Sequence, residues 1–282
     1  MQLALLGYPL GHSVSPAMHN AALAELGLAD WTYQPWPVAP DYLPAAVARL
    51  REPDYAGANV TVPHKAAVMP YLDGLTPVAQ AIGAVNTIVK HEGRLLGHNT
   101  DAAGLLADLY SFDVKLSRRT VLILGAGGAA RAAVAACLGV GARVRVLARQ
   151  RAQAEALQSL GEIDIFEWSP LGWLAACDGV TLVINATSVG MSPKVDASPW
   201  LDGTPFPPEA FVYDLVYNPA VTRLTREAQA AGLRAATGLG MLVEQGALAL
   251  ERWTGQAVPR ATMRRAAETA LAALQPVAPL TR

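Results

Sequence analysis

The sequence predicts an α/β protein with two domains, and three observations carry this prediction. Apolar strand-like runs alternate with helical runs along most of the chain, which is typical of mostly parallel sheets. The 282 residues exceed what one hydrophobic core usually organises. A glycine-rich turn also joins a strand-like run to a helical run near the middle of the chain.

The first half of the chain predicts alternating strands and helices. QLALLG (2–7) predicts a buried strand, and 15–27 a helix with Ser15 as N-cap, Pro16 in its first turn and Gly27 at its end. Residues 31–38 are expected to be extended, 40–51 a short helix, 58–62 a strand followed by another helix, and 84–90 and 94–98 short strands. This order favours a mostly parallel sheet.

A second unit is predicted to begin near Asp101. Residues 120–139 predict an apolar strand, the glycine turn and an alanine-rich helix. Further strands are predicted at 142–148, 163–166, 180–185 and 210–214, with a helix at 151–160, a proline-rich loop before 210, and helices at 239–253 and 259–274.

Composition excludes several classes of function. Hydrophobic residues make up 52% of the chain and charged residues 16%, which disfavours disorder. The net charge of −1 offers no field for nucleic acid or an anionic membrane, so the expected partner is a small molecule. The N-terminal residues do not resemble a signal peptide, and no apolar run could span a bilayer. Cys137 and Cys177 are expected to be reduced core residues of a cytoplasmic protein.

The segment GANVTVPHK (57–65) gathers polar groups at the end of a predicted strand. Val60 and Val62 alternate with polar residues, which is the period of a strand with one apolar face. Pro63 favours a helix start, so Lys65 would follow the polar strand end directly.

Lys65 is the candidate acid of a reaction that moves a proton. An ordinary lysine amine, with a pKa of about 10.4, is protonated at neutral pH. Asp101 in GHNTDAAG is the carboxylate expected to hold it charged. Two simpler interpretations stay open: Lys65 as an exposed helix residue, and Asp101 as only the N-cap of a helix beginning at Ala102.

The glycine turn has the spacing of a dinucleotide site. Gly125, Gly127 and Ala130 fit G-x-G-x-x-G/A between a strand and a helix, and Gly128 keeps the backbone accessible to a pyrophosphate. A merely tight turn is the alternative.

Two arginines follow the next strand, where an NAD site usually carries an acidic residue. Arg149 ends that strand and Arg151 is close behind. Arginine suits a 2′-phosphate, which favours NADP over NAD. A cation in a first helical turn is also mildly unfavourable against the helix dipole, which favours a ligand there. Two solvated arginines are the alternative.

A nicotinamide enzyme that acts on an alcohol must also move a proton, and two common catalytic arrangements for this are not found in the sequence. The two cysteines lie far apart, and the five histidines have no HExxH-type spacing, so no metal site is predicted. No tyrosine is followed four residues later by a lysine, the dyad of short-chain dehydrogenases. A lysine acting with a carboxylate remains.

A series of motifs then points to one family. GYPLGHSVSPAMHN (7–20), GANVTVPHK (57–65), GAVNT (83–87), GHNTD (97–101), GAGGAARA (125–132), NATSVGM (185–191), YDLVYNP (213–219) and GLGMLVEQ (238–245) resemble, in order, those of shikimate dehydrogenase. The resemblance covers nearly the whole chain. It implies two α/β domains around a cleft that holds the active site. These are a discontinuous substrate domain, 1–101 and 238–282, and a Rossmann-like NADP-binding domain, 102–237.

The resemblance also implies an activity and a set of roles. The family reduces 3-dehydroshikimate to shikimate with NADPH, in aromatic amino acid biosynthesis. Lys65 would be the acid/base residue, with Asp101 beside it. Substrate would be bound by Ser13, Ser15, Asn59, Thr61, Lys65, Asn86, Asp101, Tyr217 and Gln245. Cofactor would be bound by Gly125, Ala126, Gly127, Gly128, Ala129, Arg149, Arg151, Thr187, Leu215 and Gly238.

Several of these residues have structural alternatives. Ser15 is a good N-cap, Tyr217 can be a packed aromatic, and Gln245, on an apolar helix face, can bond within the protein. His12 and His64 are expected to be structural.

Two departures from the family pattern bear on the cofactor. Ala148 and Gln150 stand where relatives have Asn and Thr, so NADP selectivity is less secure, and Pro77 replaces an acidic residue near the cofactor. A quinate dehydrogenase using NAD, a dehydrogenase of an amino-substituted analogue and a non-catalytic NADP sensor remain alternatives, and the oligomeric state, a homodimer included, stays open.

Overall fold

A computed structural model of the protein describes residues 1–274, which form two six-stranded sheets. The first sheet contains β1 (Gln2–Gly7), β2 (Thr32–Pro37), β3 (Tyr55–Val60), β4 (Gly74–Leu75), β5 (Thr87–His91) and β6 (Arg94–His98). Its strand order is β2-β1-β3-β5-β6-β4. β3–β5 and β5–β6 are antiparallel and the other pairs parallel, so this sheet is mixed.

Four helices belong to this part of the chain: α1 (Ser15–Glu25), α2 (Leu43–Arg49), α3 (Pro77–Ile82) and α4 (Asp101–Ser111). The predicted helix at 40–51 is a 3-10 turn, Pro40–Tyr42, followed by α2. One helix was predicted, without bounds, between the strands at 58–62 and 84–90, and α3 lies in this interval. It has Thr76 as its N-cap and ends at Gly83, whose φ of 69° suits a residue without a side chain.

The second sheet is parallel throughout. It contains β7 (Thr120–Leu124), β8 (Arg143–Leu147), β9 (Asp164–Phe166), β10 (Val180–Asn185), β11 (Phe211–Asp214) and β12 (Ala235–Thr237), in the order β12-β11-β10-β7-β8-β9. This is the doubly wound dinucleotide-binding order, and its direction reverses between β7 and β10, where ligands bind at the carboxyl ends of the strands. The associated helices are α5 (Gly128–Gly139), α6 (Arg151–Glu155), α7 (Pro170–Cys177) and α8 (Arg223–Ala230).

Two final helices, α9 (Leu239–Thr254) and α10 (Arg260–Leu274), return to the first sheet. Val243, Ala247 and Leu250 of α9 share one buried apolar cluster with Leu3 and Leu5 of β1. The chain therefore passes between the sheets twice, entering the second through α4 and leaving it into α9. The predicted substrate domain included residues 275–282, which lie outside the described residues.

Three local predictions are wrong. Val14 is the N-cap of α1, and no side chain caps this helix, so Ser15 is not its cap. The strand predicted at 58–62 is β3 and ends at Val60, and Val62 is 69% exposed. Turns and a short 3-10 helix, Met69–Tyr71, rather than an α-helix follow Pro63. α4 begins at Asp101 and its N-cap is Thr100, so Asp101 is not the cap of a helix starting at Ala102.

No helix among residues 1–274 is long and apolar enough to cross a membrane.

Candidate active site

The site is built around an ion pair between Lys65 and Asp101. Lys65 Nζ lies 2.6 Å from Asp101 Oδ2, and the two side chains are 19% and 6% exposed. Lys65 lies in the turns after β3, where its carbonyl accepts a hydrogen bond from Val85 N at 2.7 Å. Asp101 is the first residue of α4, a position that favours a carboxylate because the helix N-terminus is partly positive. The ammonium is therefore held in one direction while one face stays open.

Asn86 connects this pair to the surrounding elements. Its Nδ2 donates to Asp101 Oδ1 at 2.8 Å and to Gln245 Oε1 at 3.1 Å. Its Oδ1 accepts from Thr100 N at 2.8 Å and from the Thr87 hydroxyl at 3.0 Å. The amide orientation is thus fixed, with the NH₂ group toward the carboxylate.

Close approach of α4 and α9 brings Gln245 to the same place. A Cβ at Gly104 would lie 2.7 Å from Gln245 N, so only glycine allows the two helices to pack this closely. Gln245 Nε2 donates to Leu242 O at 2.8 Å while its Oε1 accepts from Asn86. The intraprotein partner that the sequence left open is therefore present, and the half-buried Gln245 adjoins the ion pair.

Asn59 lies one layer behind these groups. It is 6% exposed, and its Nδ2 donates to Asn86 O at 3.1 Å and to Thr87 Oγ1 at 3.2 Å. Its Oδ1 accepts from the Tyr33 hydroxyl at 2.8 Å. Asn59 therefore supports Asn86, whereas the sequence placed it beside the ring hydroxyls.

The other predicted substrate residues lie near the ends of β1, β3 and β11. Ser13 is half-buried and its hydroxyl accepts from Ser15 N at 3.3 Å, while Ser15 is 7% exposed. Thr61 follows β3 directly and is half-buried. Burial raises the pKa of Tyr217, and a side-chain interaction with Ser13 acts in the opposite direction. Tyr217 therefore faces the Ser13 segment.

His64 is structural, because it is 1% exposed and its Nε2 lies 2.6 Å from Val38 O. His12 is exposed.

The glycine turn after β7 faces the ion pair from the second sheet. Gly125 has a φ of +105°, and a Cβ there would lie 2.9 Å from Thr187 Cγ2, so both the backbone and the packing require glycine. A Cβ at Gly127 would meet nothing within 4 Å, which leaves the N-terminus of α5 accessible. A Cβ at Gly128 would lie 3.9 Å from Lys65 Cδ. The two halves of the candidate site therefore adjoin.

The remaining predicted cofactor residues follow the carboxyl ends of strands in the second sheet. Ala126 and Ala129 pack against the core beneath it. Arg149 and Arg151 are exposed at the end of β8, and Arg151 Nε pairs with Glu155 Oε1 at 2.8 Å. Gly238 packs on Leu215, since a Cβ there would lie 2.5 Å from Leu215 O. These residues fit a dinucleotide: an open helix N-terminus, small residues around it, and exposed cations one strand away.

Tyr33, Thr87 and Thr100 also support this site and were not predicted from the sequence. Each lies within or beside a run of strand residues and is fully or almost fully buried. A hydroxyl in such a position needs a partner, which is the only signal the sequence carried.

Comparison with known proteins agrees with this geometry. Residues 5–88 match the family model of the shikimate dehydrogenase substrate binding domain, 113–192 a putative NAD(P)-binding model and 238–268 the shikimate 5′-dehydrogenase C-terminal domain. A shikimate dehydrogenase (NADP(+)) of Citrifermentans bemidjiense is 47% identical over 271 residues, 93% of this chain and 92% of that protein. The chain belongs to the shikimate dehydrogenase family.

Solved structures extend this family assignment. Thermus thermophilus shikimate 5-dehydrogenase, in complex with NADP(H) and shikimate, superposes with a TM-score of 0.87 at 41% identity, covering 96% of this chain and 99% of that one. A 5-ketofructose reductase of Gluconobacter superposes with a TM-score of 0.83 at 33% identity, covering 95% and 98%. The fold of this shikimate dehydrogenase family member is thus shared with a reductase of another name.

Proposed function

We propose that the protein catalyses the reversible, NADPH-dependent reduction of 3-dehydroshikimate to shikimate, a step of aromatic amino acid biosynthesis. The observation that carries this proposal is the Lys65–Asp101 ion pair. The pair lies opposite an open glycine turn, and neutral polar side chains lie around it. A cyclic polyol acid needs many neutral donors and acceptors, and this site provides them.

The proposed substrate contacts form two sets. Ser13, Ser15 and Tyr217 would bind the carboxylate, while Thr61, Asn86, Asp101 and Gln245 would bind ring hydroxyls. Asn59 belongs to the same set as a support for Asn86. Asp101 keeps a carboxylate oxygen toward Lys65, and Asn86 fixes the other.

Lys65 is the proposed proton donor to the C3 oxygen. When the carbonyl is reduced, negative charge develops on this oxygen, and a fixed ammonium nearby stabilises it without reorganisation. Asp101 holds that ammonium at 2.6 Å, so its direction is set before substrate binds. In the oxidative direction the same amine would accept the proton.

The cofactor residues are proposed on the same grounds. Gly125 to Ala129 would hold the pyrophosphate, Arg149 and Arg151 the 2′-phosphate, and Thr187, Leu215 and Gly238 the nicotinamide half. NADPH bound there would supply the hydride. Arg149 is exposed and pairs with no carboxylate among residues 1–274, so it is the better placed of the two arginines for a phosphate.

The proposed domain organisation follows from the two chain crossings. Residues 1–101 and 238–282 would bind substrate and 102–237 NADP. We also propose a cytoplasmic enzyme that acts on a small molecule without nucleic acid, with a homodimer as its candidate assembly.

A spectrophotometric assay tests the proposal. Shikimate and quinate are each offered with NADP⁺ and with NAD⁺, and the absorbance of the reduced nicotinamide is followed. 5-Ketofructose with NADPH is the reductive control. We expect the fastest turnover with shikimate and NADP⁺. A preference for quinate, NAD⁺ or the ketosugar, or nucleotide binding without turnover, contradicts it.

A further inference from the structure

A buried carboxylate, Asp214, ends β11 and has no part in the reaction proposed above. It is 0% exposed. Burial raises its pKa to about 6, while hydrogen bonds from Thr222, Val216 and Asn185 act in the opposite direction. A carboxylate in such surroundings costs folding free energy unless its oxygens are satisfied. The groups that satisfy it all come from segments around the cofactor site.

One oxygen joins the turns that follow β10 and β11. Asp214 Oδ1 accepts from Asn185 Nδ2 at 2.7 Å and from Val216 N at 3.0 Å. Asn185 Oδ1 in turn accepts from Thr187 N at 2.9 Å and from the Thr187 hydroxyl at 2.7 Å. That hydroxyl accepts from Val189 N at 3.1 Å. A single carboxylate oxygen therefore orders the turns that carry Thr187 and Leu215.

The second oxygen fixes the far end of the segment after β11. Asp214 Oδ2 accepts from the Thr222 hydroxyl at 2.7 Å, and Thr222 is the N-cap of α8. Between Val216 and Thr222 the chain is also tied to the other turn, because Ser192 N donates to Asn218 O at 3.0 Å. The segment held in this way contains Tyr217.

We propose that Asp214 is a positioning residue for hydride transfer, which holds residues 186–189 against residues 215–222 so that the cofactor-side residues and Tyr217 keep one geometry. The proposal rests on the proposed function, because Thr187, Leu215 and Tyr217 are assigned there. Asp214 is fully buried and acts only through its partners. A small displacement of groups that orient both ligands affects turnover strongly.

Four variants and one control test this role. Asp214→Ala removes both acceptors, whereas Asp214→Asn keeps an oxygen for Asn185 and Val216 and an NH₂ that can donate to the Thr222 hydroxyl. Thr222→Val removes the hydroxyl, and Thr222→Ser keeps it. Ser169→Ala is the control, because Ser169 caps α7, a helix associated with the same sheet, and makes no hydrogen bond with Asp214 among residues 1–274. KM for shikimate, KM for NADP⁺, kcat and the thermal midpoint are measured for each.

We expect Asp214→Ala and Thr222→Val to lower kcat and to raise both KM values, each by about fivefold or more. Asp214→Asn and Thr222→Ser should stay within about threefold of wild type. Ser169→Ala should lower the thermal midpoint and leave both KM values unchanged. If Asp214→Ala does not fold, the Thr222 pair decides. Wild-type KM and kcat in folded Thr222→Val overturn the proposal. Absence of turnover in the wild type would instead refute the proposed function, so the two failures are distinguishable.

Discussion

Replacement of Lys65 by methionine removes the ammonium but keeps the length of the side chain. Lys65 Nζ lies 2.6 Å from Asp101 Oδ2, and no other cationic side chain among residues 1–274 pairs with this carboxylate. A positioned proton donor accelerates such a step by about 10² to 10⁴, which corresponds to about 3 to 5 kcal/mol of transition-state stabilisation. We expect kcat to fall by that factor.

The effect on binding should be smaller. The proposed ring-binding residues Thr61, Asn86 and Gln245 remain, so we expect KM for shikimate to change by less than about tenfold. Steady-state rates at saturating NADP⁺ give both constants, and the thermal midpoint checks that the variant is folded.

Lys115→Met is the matched control. Lys115 is exposed in the segment before β7, so the same substitution there should leave both constants unchanged. Turnover of Lys65→Met within about tenfold of wild type would refute the proton-donor assignment.

Three further predictions concern selectivity and stability. Arg149→Ala should raise KM for NADP⁺ by about tenfold or more and leave KM for NAD⁺ unchanged, because only NADP carries the 2′-phosphate. Arg143→Ala, at another exposed arginine, is the control. An equal rise in KM for both nucleotides would contradict the role. The rise in the pKa of Asp214 from 3.8 to about 6 makes its ionisation cost the folded state about 3 kcal/mol. The stability gained from the protonated state is fully present at about pH 4 and below and is lost as pH rises through about 6. The free energy of unfolding of Asp214→Asn, measured in urea, should therefore rise relative to wild type between about pH 4 and pH 7.5. A difference that stays constant with pH would contradict the reasoning. Gly240→Ala should destabilise the fold by about 2 kcal/mol or more, because its Cβ would lie 1.8 Å from Asp108 Oδ1. Gly139→Ala, with open space around it, is the control and should leave the thermal midpoint almost unchanged. Equal shifts of the thermal midpoint for the two variants would contradict the reasoning.

Much of the fold follows from local patterns. β1 and β6 agree closely with the strands predicted at 2–7 and 94–98, and β2 agrees with the extended segment predicted at 31–38, because apolar runs bounded by turn residues are strong signals. The segment after Pro63 was misassigned because proline favours a helix start but equally suits the turns found there. α7 and β12 are short and were not predicted.

Part of the candidate site could likewise be predicted from the sequence, and part could not. Lys65 and Asp101 could be proposed as partners from their positions at strand ends, and the structure brings them together. Asn59 could not be assigned to a supporting layer, because that depends on the antiparallel pairing of Asn59 with Thr87. Asp214 was missed because its partners, Asn185 and Thr222, lie in separate elements. Sequence reveals such residue types, whereas only topology reveals which of them meet.

The two helices that connect the halves of the molecule carry part of the proposed ring-binding site. Asp101 begins α4 and Gln245 lies on α9, the two helices through which the chain crosses, while Lys65 belongs to the first sheet. A ring bound between Lys65 and these helices would hold α4 and α9 in a fixed position relative to the first sheet. We therefore expect shikimate alone, without nucleotide, to slow amide hydrogen exchange along α4 and α9. Exchange rates unaltered by shikimate would show that these helices move independently of the ring.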